Sequence, residues 1–193
     1  MEAYTCIYTR QSIREYDPQK QILEKDFQYL LKAASRAPSG GNAQPWFFYI
    51  VRNPKIIEQM RKTILQVYPH NEKIKRFGTF FNAPYVIAAC LDIRKRWYHR
   101  KNPQLMIDID DFIDNPDPWA IAAAIQNLLL AAHSIGIGTC WTKINRRIRV
   151  KLEKLLKIKS YHRLIANIAI GYYKKKPSLT PRRPLKEIYT FID

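Results

Sequence analysis

The stretch from Trp119 to Ile135 constrains the fold more than any other segment. It is apolar on nearly every side and is interrupted only by Gln126, Asn127, His133 and Ser134. Asp117-Pro118 opens it and Gly136 closes it, which are helix start and stop signals, and the polar interruptions argue against a membrane span. A helix with so little polar surface must be covered on most sides. It therefore belongs at the centre of the molecule or in a subunit interface.

Around this helix the pattern alternates. Leu23, Phe27, Leu30, Leu31 and Ala34 recur at helical spacing, and Pro38-Ser39-Gly40-Gly41 ends that helix. Residues 45–51 (PWFFYIV) are rich in aromatic and β-branched types and predict a strand. Asn53-Pro54 caps a further helix with Ile57, Met60, Ile64 and Val67 on its inner face. Residues 83–91 form a continuous apolar run of strand length, which suits a strand buried on both faces. Short strands are expected at 138–143 and 164–172, with a helix between them through Ile148, Leu152, Leu155 and Leu156 and Asn145 as its N-cap. Interleaved helices and strands without a regular βαβ repeat predict a layered α/β (α+β) domain with a mixed sheet.

The chain reads as a single domain over 1–193, a length that can bury a sizeable core. Residues 94–117 stand apart: Arg94, Lys95, Arg96, Arg100 and Lys101 are followed by Asp108, Asp110, Asp111, Asp114 and Asp117. A switch from basic to acidic suits an exposed insertion or lid. Lysine and arginine number 33 against 16 acids, a net charge of +17 that attracts anions without choosing among nucleic acid, membrane surface and phosphorylated small molecules. Cys6, Cys90 and Cys140 are scattered and read as reduced thiols, and the start (MEAYTCIYTR) lacks the basic and apolar regions of a signal peptide. A cytoplasmic protein is the expectation.

Several catalytic signatures are absent: no G-x-G-x-x-G, Walker loop, G-x-S-x-G or H-E-x-x-H occurs. His70, His99, His133 and His162 lie far apart in sequence and read as surface or core histidines, so no metal is expected. Four other elements invite a ligand. Arg10, Ser12 and Arg14 alternate, so an extended backbone would put two guanidinium groups and a hydroxyl on one face, suited to a phosphate. Residues 38–46 (PSGGNAQPW) join a helix end to a strand and supply Ser39, Asn42 and Gln44 there. Gly136 to Trp141 is a helix stop running into a strand. Thr180-Pro181-Arg182-Arg183-Pro184-Leu185 punctuates the C-terminal tail. Taken singly, these read as a basic edge, an ordinary loop, a glycine cap and an exposed basic tail.

In order and spacing the four together resemble the FMN-dependent nitroreductase family over almost the whole chain. The R-x-S-x-R and P-S-x-x-N-x-Q-P-W segments are present without gaps. They are followed by a strand opening Ala-Pro, an apolar helix with Gln-Asn-Leu, the Gly-x-Gly-x-x-Trp turn, Gly171-Tyr172, and Arg182 to Leu185. The resemblance implies a three-layer sandwich with a mostly antiparallel mixed sheet, an intertwined homodimer, and FMN at the subunit interface. Arg10 and Ser12 would meet the FMN phosphate and ribityl chain, and Arg14 the pyrimidine edge of the flavin. Pro38, Ser39, Gly40 and Asn42 would reach the flavin held mainly by the other subunit. Trp141, Thr142 and Lys143 would line one flavin face with a backbone N–H near N5, and Arg182, with Arg183 as helper, would close over the phosphate. Lys143 stands where relatives with this tryptophan often carry glycine, which makes that face more crowded or more positive. NADH or NADPH would reduce the flavin and a small acceptor such as a nitroaromatic or quinone would reoxidise it by a ping-pong route, with no protein group as catalyst. Relatives also include flavin reductases, dehalogenases and oxidases.

The rival reading is single-strand nucleic-acid binding. Lys143, Arg146, Arg147, Arg149, Lys151, Lys154 and Lys157 form a basic stretch, and residues 94–101 enclose Trp97, Tyr98 and His99. The basic helix carries an apolar face of its own, so its charges read more simply as a solvated side that attracts the phosphates of FMN and NAD(P)H.

Overall fold

In the computed structural model, which describes residues 1–67, 82–95 and 116–192, helices and strands alternate along the chain. They are α1 (Ala3–Thr9), α2 (Glu24–Ala34), β1 (Trp46–Val51), α3 (Pro54–Val67), β2 (Tyr85–Asp92), α4 (Pro116–Ser134), β3 (Gly138–Lys143), α5 (Arg146–Leu155) and β4 (His162–Gly171). The strands form one sheet in the order β1-β2-β4-β3, with each neighbouring pair antiparallel. A parallel bridge from Ser12 to Thr139 adds the N-terminal segment beside β3.

Helices α2 and α4 cover one face of the sheet. Phe27 and Leu30 from α2 meet Ile121, Ile125 and Leu128 from α4 over Ile87, Ile168 and Ile170. Helices α3 and α5 cover the other face, where Met60 and Leu152 pack over Val86, Ala88, Leu164 and Ala169. The result is the three-layer α+β sandwich anticipated from the sequence. Each fully buried large side chain contributes about 1.5–3 kcal/mol of transfer free energy, and β2 is buried along both faces as its unbroken apolar run predicts.

Local signals account for the element ends. The Asn145 side chain accepts the Ile148 N–H at 3.0 Å and caps α5. Helix α4 ends in a Schellman turn, with Ile137 N–H donating to Ala132 O, Gly136 N–H to His133 O, and Gly136 in the left-handed region at φ 78°. Lys157 ends α5 the same way at φ 50°, without glycine's freedom. The three thiols are free and buried, and burial pushes Cys90 and Cys140 up from the ordinary thiol range.

Helix α1 has no counterpart in the sequence-based expectation, since it buries only Cys6 and turns Tyr4, Ile7 and Tyr8 outward. At the other terminus residues 174–192 are exposed throughout, including Leu179, Leu185, Ile188, Tyr189 and Phe191. Helix α4 is buried or half-buried over 117–134 except at Gln126 and at Trp119, which is 57% exposed, as its nearly all-apolar sequence predicts. The proposed insertion at 94–117 falls mostly outside the described residues, as do Trp97, Tyr98, His99 and His70. Of it, Ile93–Lys95 forms a 3₁₀ turn and Asp117 is buried in the first turn of α4.

Candidate functional site

The segment after α1 runs beside the outer edge of β3. Ile13 N–H donates to Thr139 O at 2.9 Å, and the Tyr16 hydroxyl sits 2.6 Å from Ile13 O and 3.1 Å from Ala169 O, which ties the segment to β4. Gln11, Ile13 and Tyr16 are buried while Ser12 is half-buried and Arg14 exposed, the alternation of an extended backbone. Gly138 permits this approach. A Cβ there would lie 2.7 Å from Tyr173 Cδ1 and 2.8 Å from Ile13 Cγ1, closer than packed carbons come.

Ser12 is level with Thr139 and the two chains run parallel, so continuing the register brings Arg14 level with Trp141. The Ser12 hydroxyl and the Arg14 and Arg10 guanidinium groups all bear on the Cys140 thiol and lower its pKa, although burial outweighs them and leaves it raised. Because the Thr139 carbonyl points to the outer edge, the two-residue period points the N–H groups of Trp141 and Lys143 the same way. Trp141 is 40% exposed, Thr142 half-buried and Lys143 exposed. The Arg10 guanidinium makes no hydrogen bond or ion pair among the described residues. This corner thus offers two cations, a hydroxyl and open backbone donors along one edge. That donor set suits a phosphate ester carrying a planar, hydrogen-bonding ring.

The second group of candidates lies elsewhere. Residues 38–45 lead into β1 at the opposite edge of the sheet. The Gln44 N–H donates to Ser39 Oγ at 3.0 Å, and Gly41, Asn42 and Gln44 all have positive φ (54°, 54° and 49°). Pro38, Gly40 and Asn42 are exposed and Ser39 half-buried. Trp46 pairs with Leu91 and Leu91 with Arg163, whereas Thr139 pairs with Ile170. The two segments therefore sit at diagonal corners, about 25 Å apart at strand spacings of ~4.8 Å and rises of ~3.3 Å. One chain brings Arg10, Ser12, Arg14, Trp141, Thr142 and Lys143 together and leaves Pro38 to Asn42 away from them.

Arg182 and Arg183 lie in the exposed tail, where Arg182 Nη1 donates to Thr180 O at 3.1 Å. The tail starts at the Arg10 corner, since Gln11 Nε2 donates to Pro177 O at 3.0 Å. Sequence reasoning read His133 as a surface or core histidine and did not single out Thr9; the two meet there at 2.9 Å, and a histidine in the last turn of the apolar helix was the available signal. Among the described residues no cluster of histidine, cysteine and acid groups could hold a metal, and no helix is long and apolar enough to cross a membrane.

Comparison with known proteins agrees with this architecture. The sequence profile of the Nitroreductase family matches residues 7–172. A protein of Archaeoglobus fulgidus provisionally named NADH dehydrogenase/NAD(P)H nitroreductase is 34% identical, covering 90% of this chain and 86% of the relative. An iodotyrosine deiodinase of Thermotoga neapolitana is 32% identical, covering 88% and 87%. The solved structure of a nitroreductase with bound FMN from Bacteroides fragilis superposes with a TM-score of 0.73 at 23% identity, over 100% of both chains.

Proposed function

The chain belongs to the nitroreductase family, and from that premise we propose that it is an FMN-dependent oxidoreductase that draws electrons from NADH or NADPH. It passes them to a nitroaromatic, quinone or related small acceptor by a ping-pong route. The observation that carries this reading is the Arg10–Arg14 segment laid along the open edge of β3 beside Trp141. FMN, when bound, supplies the chemistry of accepting a hydride from the nucleotide and returning electrons to the acceptor. The protein's part is position and charge. Arg10 and Ser12 hold the phosphate and ribityl chain, with Arg182 and Arg183 brought over it by the tail. Arg14 lies by the pyrimidine edge, where its fixed positive charge offsets negative charge on the ring. Trp141, Thr142 and Lys143 border one flavin face, and the outward N–H groups of Trp141 and Lys143 are the backbone donors available to it.

The diagonal separation of Pro38, Ser39, Gly40 and Asn42 supports a homodimer, because a second copy can bring that loop to the flavin and a single copy cannot. Exposed apolar side chains on α1, on α4 and along the tail supply surface for such an interface, and among the described residues no strand pairs with the outer edge of β1. The same reading makes the chain a single domain with an insertion at 94–117, working in the cytoplasm with its thiols reduced. Of the α5 cations, Arg149 is buried beside Ile148 and Leu152, while Arg146, Arg147, Lys151 and Lys154 are exposed, which favours a solvated face over a nucleic-acid groove.

The test is to purify the protein without added flavin, record its visible absorption and identify the released cofactor by chromatography. Bound FMN that bleaches with NADH or NADPH and recovers with an acceptor supports the reading; a colourless protein that takes up no FMN overturns it. The acceptor screen includes iodotyrosine beside nitroaromatics and quinones, because the 32% identical relative is named for that substrate. Arg14→Ala retains less flavin or turns over more slowly, and a monomer with full flavin occupancy overturns the interface assignment.

A further inference from the structure

Three elements meet behind Arg10: the end of α1, the last turn of α4 and the start of the C-terminal tail. Thr9 Oγ1 lies 2.7 Å from Thr5 O and 2.9 Å from His133 Nε2. A carbonyl only accepts, so the single hydroxyl hydrogen goes to Thr5. His133 must then donate from Nε2, which leaves Nδ1 as the site for a second proton. Thr9 is the residue before Arg10, and Arg10 is the C-cap of α1, its N–H donating to Cys6 O. The imidazole thus pins the backbone that presents the Arg10 guanidinium.

We propose that His133 is a positioning residue for the anion held at Arg10, and that it takes up a proton from solvent when a phosphate ester binds there. The inference rests on the FMN-phosphate assignment above and adds a residue and a proton to it. The charged groups bearing on the ring are Arg10 from the end of α1 and Lys176 from the tail, both cations, and among the described residues no carboxylate acts on it. Burial foremost, then Lys176 and Arg10, hold its pKa below the ordinary histidine value, so it is neutral near pH 7. The carbonyl end of α4 acts the other way and favours the charged ring. A phosphate dianion placed between Arg10 and the tail cancels the two cationic contributions, and by linkage the site binds phosphate more tightly as His133 protonates.

The experiment compares wild type with His133→Gln, whose amide keeps a donor for Thr9 and takes up no proton. Flavin dissociation constants are measured by fluorescence from the full-length flavoprotein between pH 5.5 and 8, for FMN and for riboflavin, which lacks the phosphate. The second ionisation of free FMN falls in this range, but the free ligand is the same for both proteins and its titration cancels in their ratio. We expect the ratio of variant to wild-type constants for FMN to be near one at pH 8 and to rise to about three- to tenfold at pH 5.5, where a tenfold change corresponds to about one unit in the pKa of His133. The riboflavin ratio stays flat. A flat FMN ratio, or an equal rise with riboflavin, overturns the role of His133 while leaving the flavin assignment intact. Failure of wild type to take up flavin at any pH overturns the assignment itself. If His133→Gln does not fold, the His133 ring resonance titrated by NMR in wild type decides. An upward shift with FMN but not with riboflavin supports the proposal, and no shift rejects it.

Discussion

Two glycines in one turn make opposite predictions about the site. Gly138 lies where the N-terminal segment crosses β3. A methyl there would sit 2.7 Å from Tyr173 Cδ1, 2.8 Å from Ile13 Cγ1 and 2.9 Å from Ile13 Cβ. Contacts between packed carbons are about 3.5–4.0 Å, so Ile13 must withdraw by about 1 Å. Its N–H bond to Thr139 O, now 2.9 Å, lengthens with it. Overpacking of this kind costs about 1–3 kcal/mol, a fall in Tm of about 3–9 °C for a chain of this size. Because Arg10, Ser12 and Arg14 hang on the displaced backbone, Gly138→Ala also loses flavin. Gly136→Ala is the control. Nothing lies within 4 Å of its added carbon, and the cost comes from φ 78° alone, about 1 kcal/mol. It lowers Tm by about 3 °C and leaves flavin retention unchanged. Differential scanning fluorimetry and the ratio of flavin to protein absorbance report both effects. Wild-type Tm and flavin content in Gly138→Ala would refute the reasoning, as would equal flavin loss in both variants.

Three smaller effects follow from named contacts. Lys157 ends α5 with φ 50°, so Lys157→Gly relieves a left-handed lysine and stabilises by about 0.5–1 kcal/mol in urea unfolding, whereas a lower midpoint would contradict the strain. Asn145→Ala removes the 3.0 Å cap on Ile148 N–H and costs about 1 kcal/mol in the same assay, while Asn145→Ser recovers most of it. Buried Asp92 receives Arg94 Nε at 2.9 Å and Nη2 at 2.7 Å, and these bonds hold its pKa below the ordinary carboxylate value. A carboxylate with a depressed folded-state pKa adds stability that is present above its unfolded value near pH 4 and is lost as pH falls through the folded one. Arg94→Met therefore moves the acid-unfolding midpoint to higher pH, measured by circular dichroism, and an unmoved midpoint would show the pair to be inert.

The layered core was legible because its signals are local and repeated. Phe27, Leu30 and Ala34 fall at helical spacing and bury together, and the apolar run of 83–91 becomes β2 with a shift of two residues at its start. Helix α1 was not legible for the same physical reason. A helix is recognised by the stripe it buries in its own chain, and α1 buries Cys6 while Tyr4 is 73% exposed and Tyr8 67% exposed. Tyr4, Ile7 and Tyr8 face away from the core of the chain, so no buried stripe marks the helix. The tail behaves alike: Ile188, Tyr189 and Phe191 are apolar and are exposed here.

The candidate site divides along the same line. Arg10, Ser12 and Arg14 were found by their alternation because the segment that carries them is extended against its own β3, and a period of two survives in the sequence. Pro38 to Asn42 showed only turn chemistry, and among the described residues their side-chain hydrogen bonds stay within the loop: Ser39 receives Gln44 N–H, and Gln44 Nε2 reaches Asn42 O at 3.4 Å. A loop holding Gly41, Asn42 and Gln44 at positive φ carries local strain, of order 1–2 kcal/mol for each residue other than glycine. Strain of that size persists when something else depends on the conformation. Under the homodimer proposed above, that dependence would include what the loop meets in a second copy. On that proposal the Arg10–Arg14 corner and the strained loop are two halves of one site, the first built by intrachain register and the second completed by assembly.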